Sequence, residues 1–330
     1  MRHVSLGRTG LKVSRLCLGT MTFGLQCDEE TSRAILDAAA AGGVDFIDTA
    51  DVYPLGGDLS SVGRTEEIIG RWLSGRRHEV VLATKCVGRM GPRPWDQGMS
   101  RKHVLEALEA SLRRLGTDYV DLYQLHAYDP ETPLDEALDA LETVVRQGKA
   151  RYVGVSNWPA WRLARALGRS ELKGLVPIAA AQPRYNLLFR TFERDLLPLC
   201  AEEGVGVIPY NPLAGGLLTG KHKRGAAPPA EGRFALGAAG ALYQSRYWRD
   251  DAFATVERLQ DLAAEAGIGL VRLAIAWVLA QPAVTAPIIG ASRPEQLTES
   301  LAAAEEVLTP EIVERCDALT RGFRAVDADR

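Results

Sequence analysis

Four residues could do chemistry together if the chain brings them to one place. Asp48 and Tyr53 lie in Asp48-Thr-Ala-Asp-Val-Tyr53, Lys85 ends the run Val80-Val-Leu-Ala-Thr-Lys85, and His126 ends Val120-Asp-Leu-Tyr-Gln-Leu-His126. A tyrosine is a poor proton donor near neutral pH, because its unperturbed pKa is about 10. A lysine a few ångströms away favours the phenolate and lowers that value, and an aspartate paired with the lysine holds it in place and charged. A histidine beside them can orient a carbonyl oxygen or help to move the proton. Together these groups could protonate the oxygen of a carbonyl while something else delivers hydride to its carbon. Taken singly, each has a plainer reading: a lysine is often a solvated strand end, and a lone histidine a satisfied core residue. A metal-dependent hydrolase would also use strand-end His and Asp, but it would need several histidines, and neither HxH nor HExxH occurs. No metal is expected, and His3, His78 and His222 fall in turn-like or charged segments.

The four residues meet only if the runs that carry them are parallel neighbours in a sheet. Val44-Asp-Phe-Ile47 alternates like a buried strand and stops at Asp48, and the runs before Lys85 and His126 do the same. Around them strand and helix patterns alternate. Val4 to Val13 reads as a hairpin about Gly7-Arg-Thr-Gly10, followed by a first strand, Leu16-Cys-Leu-Gly-Thr20, and a helix from Asp28 to Ala41 closed by Gly42-Gly43. Further helices are read over Thr65 to Leu73, from the N-cap candidate Ser100 through Val104, Leu108, Leu112 and Leu115, and along Leu134, Leu138, Leu141 and Val145. Strands five to eight are read at Arg151–Ser156, Ile178–Gln182, Gly206–Tyr210 and Ala286–Gly290, the last after a Gly/Pro-rich loop from Gly215 to about Asp250 and a pair of helical segments. Gly225-Ala-Ala-Pro-Pro-Ala230 reads as a mobile loop tip. Eight strands with mostly helical connections and no linker predict a single domain over 1–330: a (β/α)₈ barrel with an N-terminal β-hairpin and long loops at its C-terminal face. The rival, a doubly wound sheet, lacks its phosphate turn, since no GxGxxG is present.

The 330 residues are 46% hydrophobic and 25% charged, enough for one large barrel or two ordinary domains. Their 39 basic and 42 acidic residues are spread along the chain, which gives no electrostatic case for nucleic acid or an acidic membrane surface. Five scattered cysteines without a CxxC fit a reducing compartment. Met1-Arg-His-Val-Ser lacks a signal-peptide core, and no run of about 18 apolar residues occurs, so a cytoplasmic protein is expected.

From end to end the chain resembles an aldo-keto reductase. The likeness rests on Leu6-Gly-Arg-Thr-Gly-Leu-Lys-Val13, the Asp48 to Tyr53 motif, Lys85, Leu125-His126, Gly154-Val-Ser-Asn157 and Pro287-Ile-Ile-Gly-Ala-Ser-Arg-Pro-Glu-Gln-Leu297. Within the superfamily, Asp129-Pro-Glu-Thr-Pro133 looks more like the bacterial general and sugar-carbonyl reductases than the steroid-reducing branch. The resemblance implies NADPH-dependent reduction of a carbonyl, with Tyr53 as general acid and Lys85, Asp48 and His126 in support. It also implies a dinucleotide extended across the barrel mouth. Ser156, Asn157 and Gln182 would hold the nicotinamide carboxamide, and Tyr210 would stack on its ring. Leu213, Gly215, Leu217, Thr219 and Lys221, with Arg233 further along, would cover the pyrophosphate. Gly290, Ser292 and Arg293 would meet the 2′-phosphate, with Gln296 and Glu299 toward the adenine.

Two positions depart from the family pattern: Gly290 stands where many relatives have lysine, and Ser300 where they have asparagine. Preference for NADPH over NADH then rests on Ser292 and Arg293, and Arg293 has the alternative reading of a helix-flanking surface charge. The substrate side falls to the strand-end loops, where Phe23, Trp95 and Tyr128 are candidate pocket residues and a keto sugar or small aldehyde is the expected substrate class. A second expectation comes from the potassium-channel β subunits, relatives that keep fold and cofactor but serve as regulatory partners. The pattern specifies no oligomeric state.

Overall fold

The computed structural model describes residues 1–324. The chain opens with an antiparallel hairpin, β1 (His3–Ser5) and β2 (Lys12–Ser14). Eight strands then run parallel: β3 (Cys17–Gly19), β4 (Phe46–Asp48), β5 (Val81–Cys86), β6 (Val120–Leu125), β7 (Ala150–Ser156), β8 (Ile178–Gln182), β9 (Gly206–Val207) and β10 (Ile288–Gly290). Each pairs with its sequence neighbour, and β10 pairs with β3. The last seam, between β9 and β10, is made by bridges at Val207 with Val284 and Tyr210 with Ile288, and by the Ile288 N–H to Pro209 O bond of 2.8 Å. The sheet is thereby a (β/α)₈ barrel, as the alternation predicts. The seventh strand is shorter than its predicted Gly206–Tyr210 span, because Pro209 has no N–H to contribute to a ladder.

Helices clad the barrel where the apolar periodicity puts them. In α1 (Glu29–Ala41), Asp28 caps the first turn by accepting from the Thr31 N–H at 2.8 Å. In α3 (Arg101–Leu115), Ser100 accepts from the His103 N–H, and Gly116 closes the helix in the left-handed conformation. The others are α2 (Arg64–Leu73), α4 (Leu134–Arg146), α5 (Ala160–Lys173), α6 (Leu196–Glu203), α7 (Gly237–Tyr247), α8 (Asp250–Glu265), α9 (Leu270–Leu279), α10 (Leu297–Ala302) and α11 (Pro310–Leu319). Among the described residues no single helix is long and apolar enough to cross a membrane.

Period-two alternation sorts the strand residues into two cores. Leu18, Ile47, Leu82, Cys86, Tyr123, Leu125 and Val155 face the helices. Cys17, Phe46, Ala83, Leu122, Ala180 and Ile288 fill the barrel, together with Leu6 and Val13 of the hairpin. The hairpin closes the end of the barrel where the strands begin. There the Arg8 N–H donates to Gly204 O at 2.7 Å, an approach so close that a Cβ on Gly7 (φ +55°) would lie 2.4 Å from that oxygen.

Candidate active site

Going one step further along each inward-facing register, the apolar filling turns polar. Two residues beyond Phe46, Ala83, Leu122 and Ala180 come Asp48, Lys85, Gln124 and Gln182, all buried at the open end of the barrel. Lys85 is fully buried, and its Nζ lies 2.6 Å from Asp48 Oδ2 and 2.7 Å from Thr49 O. Asp48 Oδ1 accepts from Gln182 Nε2 at 2.8 Å and from Gln124 Nε2 at 3.1 Å, so both of its oxygens are engaged. On the open side, Lys85 Nζ is 3.5 Å from the hydroxyl of Tyr53. The ring of His126 stands edge-on to Tyr53, 5.8 Å between centroids. The four residues of the predicted constellation therefore converge, with Tyr53 and His126 partly exposed and the ion pair beneath them.

Burial alone would drive the Lys85 ammonium toward the neutral form, but Asp48 and Tyr53 together outweigh it and the Lys85 pKa is raised. For Tyr53 the balance runs the other way: burial pushes the phenol up and Lys85 pulls it only partway back. The expectation that lysine lowers this phenol thus describes its own contribution and not the net, and Tyr53 keeps its proton at neutral pH. Burial, reinforced by the Lys85 charge, holds His126 down to about 3, so its ring is a neutral hydrogen-bonding group. The site holds one protonated phenol, one fixed cation behind it and one neutral imidazole beside it.

The proposed carboxamide contacts form a connected cluster on the adjoining strand ends. Ser156 Oγ donates to Gln182 O at 2.9 Å, and Asn157 Nδ2 donates to Ser156 Oγ and His126 O, both at 3.0 Å. Asn157 Oδ1 accepts from the Tyr210 hydroxyl at 2.9 Å. Leu213, Gly215, Leu217 and Thr219 lie in a tight turn in which Ala214, Gly215 and Gly216 take left-handed φ of 51°, 71° and 103°. Leu217 is fully buried in the core, whereas Lys221 is exposed. At the end of β10, Gly290 is exposed and a Cβ there would meet nothing nearer than Gly19 O at 3.8 Å. Gln296 Oε1 accepts the Ser292 N–H at 2.8 Å; Arg293 is exposed, and among the described residues it pairs with no carboxylate. Glu299 is already engaged by Arg272 at 3.2 Å.

Other residues lie away from their expected places. Phe23 is fully buried in the helix-side core and lines no pocket wall, because its loop turns back at Cys27 beneath α2. Trp95 is half exposed, while Tyr128 packs edge-on against Trp158 at 5.3 Å. The stretch read as loop from Gly215 to about Asp250 contains α7. Its Tyr243 packs on the Gly215 turn and lies within electrostatic reach of Tyr53. Arg233 reaches Met21 Sδ at 3.1 Å, which ties this segment to the loop after β3 across the barrel mouth. Sequence reasoning passed over Gln124 and Tyr243. Gln124 could have been found as a polar residue at an inward position of an apolar strand. Tyr243 had no such signal.

The barrel, its closing hairpin and the buried Lys–Asp pair beneath a tyrosine define a class of carbonyl-reducing barrels, and comparison with known proteins specifies it. The model of the Aldo/keto reductase family matches residues 15–321, and the chain belongs to that family. It is 41% identical over 321 residues to the uncharacterized oxidoreductase YrpG of Bacillus subtilis, covering 95% of this chain and 94% of that one. It is 40% identical over 329 residues to a protein of Oryza sativa subsp. japonica named "Probable voltage-gated potassium channel subunit beta", covering 97% of each. Versiconal hemiacetal acetate reductase of Aspergillus parasiticus is 34% identical over 345 residues, with 95% of each chain covered. The family reduces carbonyls with a nicotinamide cofactor. The residues here fit such a group: the Asn157 amide and the Ser156 hydroxyl join at the strand ends next to His126, a left-handed glycine turn allows close backbone approach, and Lys221 and Arg293 are exposed and, among the described residues, make no ion pair with a carboxylate.

Proposed function

We propose that the protein is a cytoplasmic, single-domain enzyme that reduces an aldehyde or ketone to the alcohol, with NADPH as the hydride source and Tyr53 as the proton donor. The observation that carries this reading is the Tyr53 hydroxyl 3.5 Å from a lysine that is itself locked 2.6 Å from Asp48. Nicotinamide supplies hydride when bound; the chain's residues do the rest. A carbonyl oxygen received between Tyr53 and the neutral His126 is held by hydrogen bonds. As charge grows on that oxygen Tyr53 releases its proton, and the Lys85 cation stabilises the phenolate left behind. Ser156, Asn157 and Gln182 orient the carboxamide, since an amide needs both donors and acceptors. Tyr210 offers its ring to the nicotinamide, and the turn at Leu213 to Lys221 covers the pyrophosphate. Keto sugars and small aldehydes are the favoured substrates.

The test is NADPH consumption with a panel of aldehydes, diketones and keto sugars, comparing wild type with Tyr53→Phe. Turnover should fall by about 10²–10⁴ while NADPH still binds, as expected for loss of a general acid. An active Phe variant would refute the role. Adenosine-end contacts are tested separately. Arg293→Ala should raise KM for NADPH about tenfold, the cost of one charged contact of about 1.4 kcal/mol, and leave KM for NADH unchanged. Equal effects would remove Arg293 from the 2′-phosphate.

The potassium-channel β naming of a 40%-identical relative favours a second reading, in which the chain serves as a cofactor-holding regulatory subunit. Stoichiometric co-purification with a membrane protein, together with tight NADPH binding and no turnover, would favour it.

A further inference from the structure

Beside Tyr210 lie two arginines, Arg184 and Arg246. Arg184, just past β8, holds its guanidinium 3.5 Å over the ring of Phe189 and 5.9 Å from that of Tyr247. Arg246, on α7, lies 5.8 Å from the ring of Tyr243. Among the described residues neither makes an ion pair with a carboxylate, although Arg190, Arg224 and Arg249 nearby in sequence each do. The two charges are near enough to act on each other and on Tyr210, and both side chains are only partly exposed.

This arrangement has a cost in the unliganded protein. Like charges brought together in a partly desolvated place oppose folding, and the aromatic faces beneath them offset that only in part. An anion bound between them would reverse the sign of the interaction, and planar guanidinium groups suit carboxylate and phosphate oxygens. The position also matters. Tyr247 and Tyr243 join the two arginines as one aromatic wall, 6.4 Å between ring centroids; Arg184 also bridges Tyr210 through the backbone, and the Tyr210 hydroxyl leads through Asn157 to His126, which faces Tyr53. The anion would therefore sit at the edge of the place where a carbonyl is received, on the side of α7.

We propose that Arg184 and Arg246 form a specificity site for the anionic group, carboxylate or phosphoryl, of a carbonyl substrate whose reacting carbon lies at Tyr53. The inference rests on the carbonyl-reductase reading above and narrows its substrate class. Neutral keto sugars would be poorer substrates than sugar or aldehyde acids of similar size. Arg233, whose guanidinium lies 5.4 Å from the Tyr243 ring centroid, is left to the cofactor.

The experiment compares 4-carboxybenzaldehyde with benzaldehyde, which differ by the anionic group alone, for wild type, Arg184→Gln, Arg246→Gln and the double variant. Wild type should favour the acid in kcat/KM by about tenfold or more, the single variants should each lose part of the preference, and the double variant should lose it all. NADPH affinity, read by quenching of protein fluorescence, should stay within about twofold. The pair Arg184→Lys and Arg246→Lys keeps charge and should retain much of the preference, which separates lost charge from damaged folding. An unaltered ratio overturns the proposal. So does weakened NADPH binding with the ratio intact, which would assign the arginines to the cofactor's own phosphates. Should neither aldehyde be reduced, the reductase reading fails by itself. Calorimetric binding of 4-(hydroxymethyl)benzoate to the NADP⁺-loaded protein then still tests the anion site: loss of that binding in the double variant supports it, and absence of binding to wild type overturns it.

Discussion

Asp48 and Asp51 stand three residues apart in one motif, both almost wholly buried, and they meet opposite fates. Asp48 points into the barrel, where Lys85 takes one oxygen and Gln124 and Gln182 share the other. Asp51 lies on the helix side near Glu66 of α2. Both oxygens of Glu66 are engaged, by Thr84 Oγ1 at 2.5 Å and Arg114 Nε at 2.7 Å, and among the described residues neither oxygen of Asp51 has a partner. Burial, with the Glu66 charge adding to it, pushes the Asp51 carboxyl well up. Identical side chains at similar depth therefore divide into an ion pair set beneath a tyrosine and a carboxyl that survives by keeping its proton. Burial does not decide the charge of an acid; the groups left facing it do.

The contrast can be broken most sharply at Asp48. Asp48→Asn leaves the Lys85 cation buried without its carboxylate, a change that costs about 3–5 kcal/mol in comparable buried pairs. Carbonyl reduction should fall about 10²-fold or more, the usual order for general acid catalysis, because the cation behind Tyr53 is lost or misplaced. Thermal melting and steady-state assays would read both, and a variant with wild-type melting and turnover would remove the pair from the mechanism.

At Asp51 the same substitution should do the reverse. A carboxyl whose folded pKa lies above its unfolded value of about 3.9 contributes stability below that pH and loses it as pH rises. Asparagine copies the neutral acid, so Asp51→Asn should raise Tm at pH 8 by about 2–4 °C, the scale of ~1 kcal/mol in a chain of this class. The gain should shrink toward pH 4, with activity within about twofold of wild type. A fall in Tm at pH 8 would mean that Asp51 is charged and paired in solution.

The smallest expected effect belongs to His126. An unfolded chain protonates histidine near 6.5, whereas the folded site does so only near 3, so the native state loses stability as pH falls through that interval. A titration-silent His126→Asn should flatten the acid limb of Tm against pH by roughly 1–2 °C per pH unit, below the full linkage value because the ring is partly exposed. An unchanged slope would show that His126 carries no such burden.

The barrel and the four converging residues were legible in the sequence because Asp48, Lys85 and His126 each sit where an apolar run stops, with Tyr53 in the turn just after the first, and a parallel barrel gathers such endings at one rim. The same rule would have found Gln124, which shares the register of Leu122. Other features follow from contacts that periodicity does not encode. The helix α7 begins at glycine and alanine and carries little apolar pattern, so Tyr243 and Arg246 looked like loop residues. Phe23, aromatic and just past a strand, looked like a pocket residue, but the turn closing at Cys27 directs it into the helix layer. Asp51 shows no sign in the sequence that it will lack a partner.

The hairpin at the other end has a consequence for how the site is reloaded. With Leu6 and Val13 filling the base, the well that holds Lys85 is blind. In the proposed reaction, a proton given up by Tyr53 is then replaced from above, through the doorway by which the alcohol leaves. Recharging and departure become one queue, and its order is set by the N-terminal turn of the chain, at the end of the molecule most remote from the reaction.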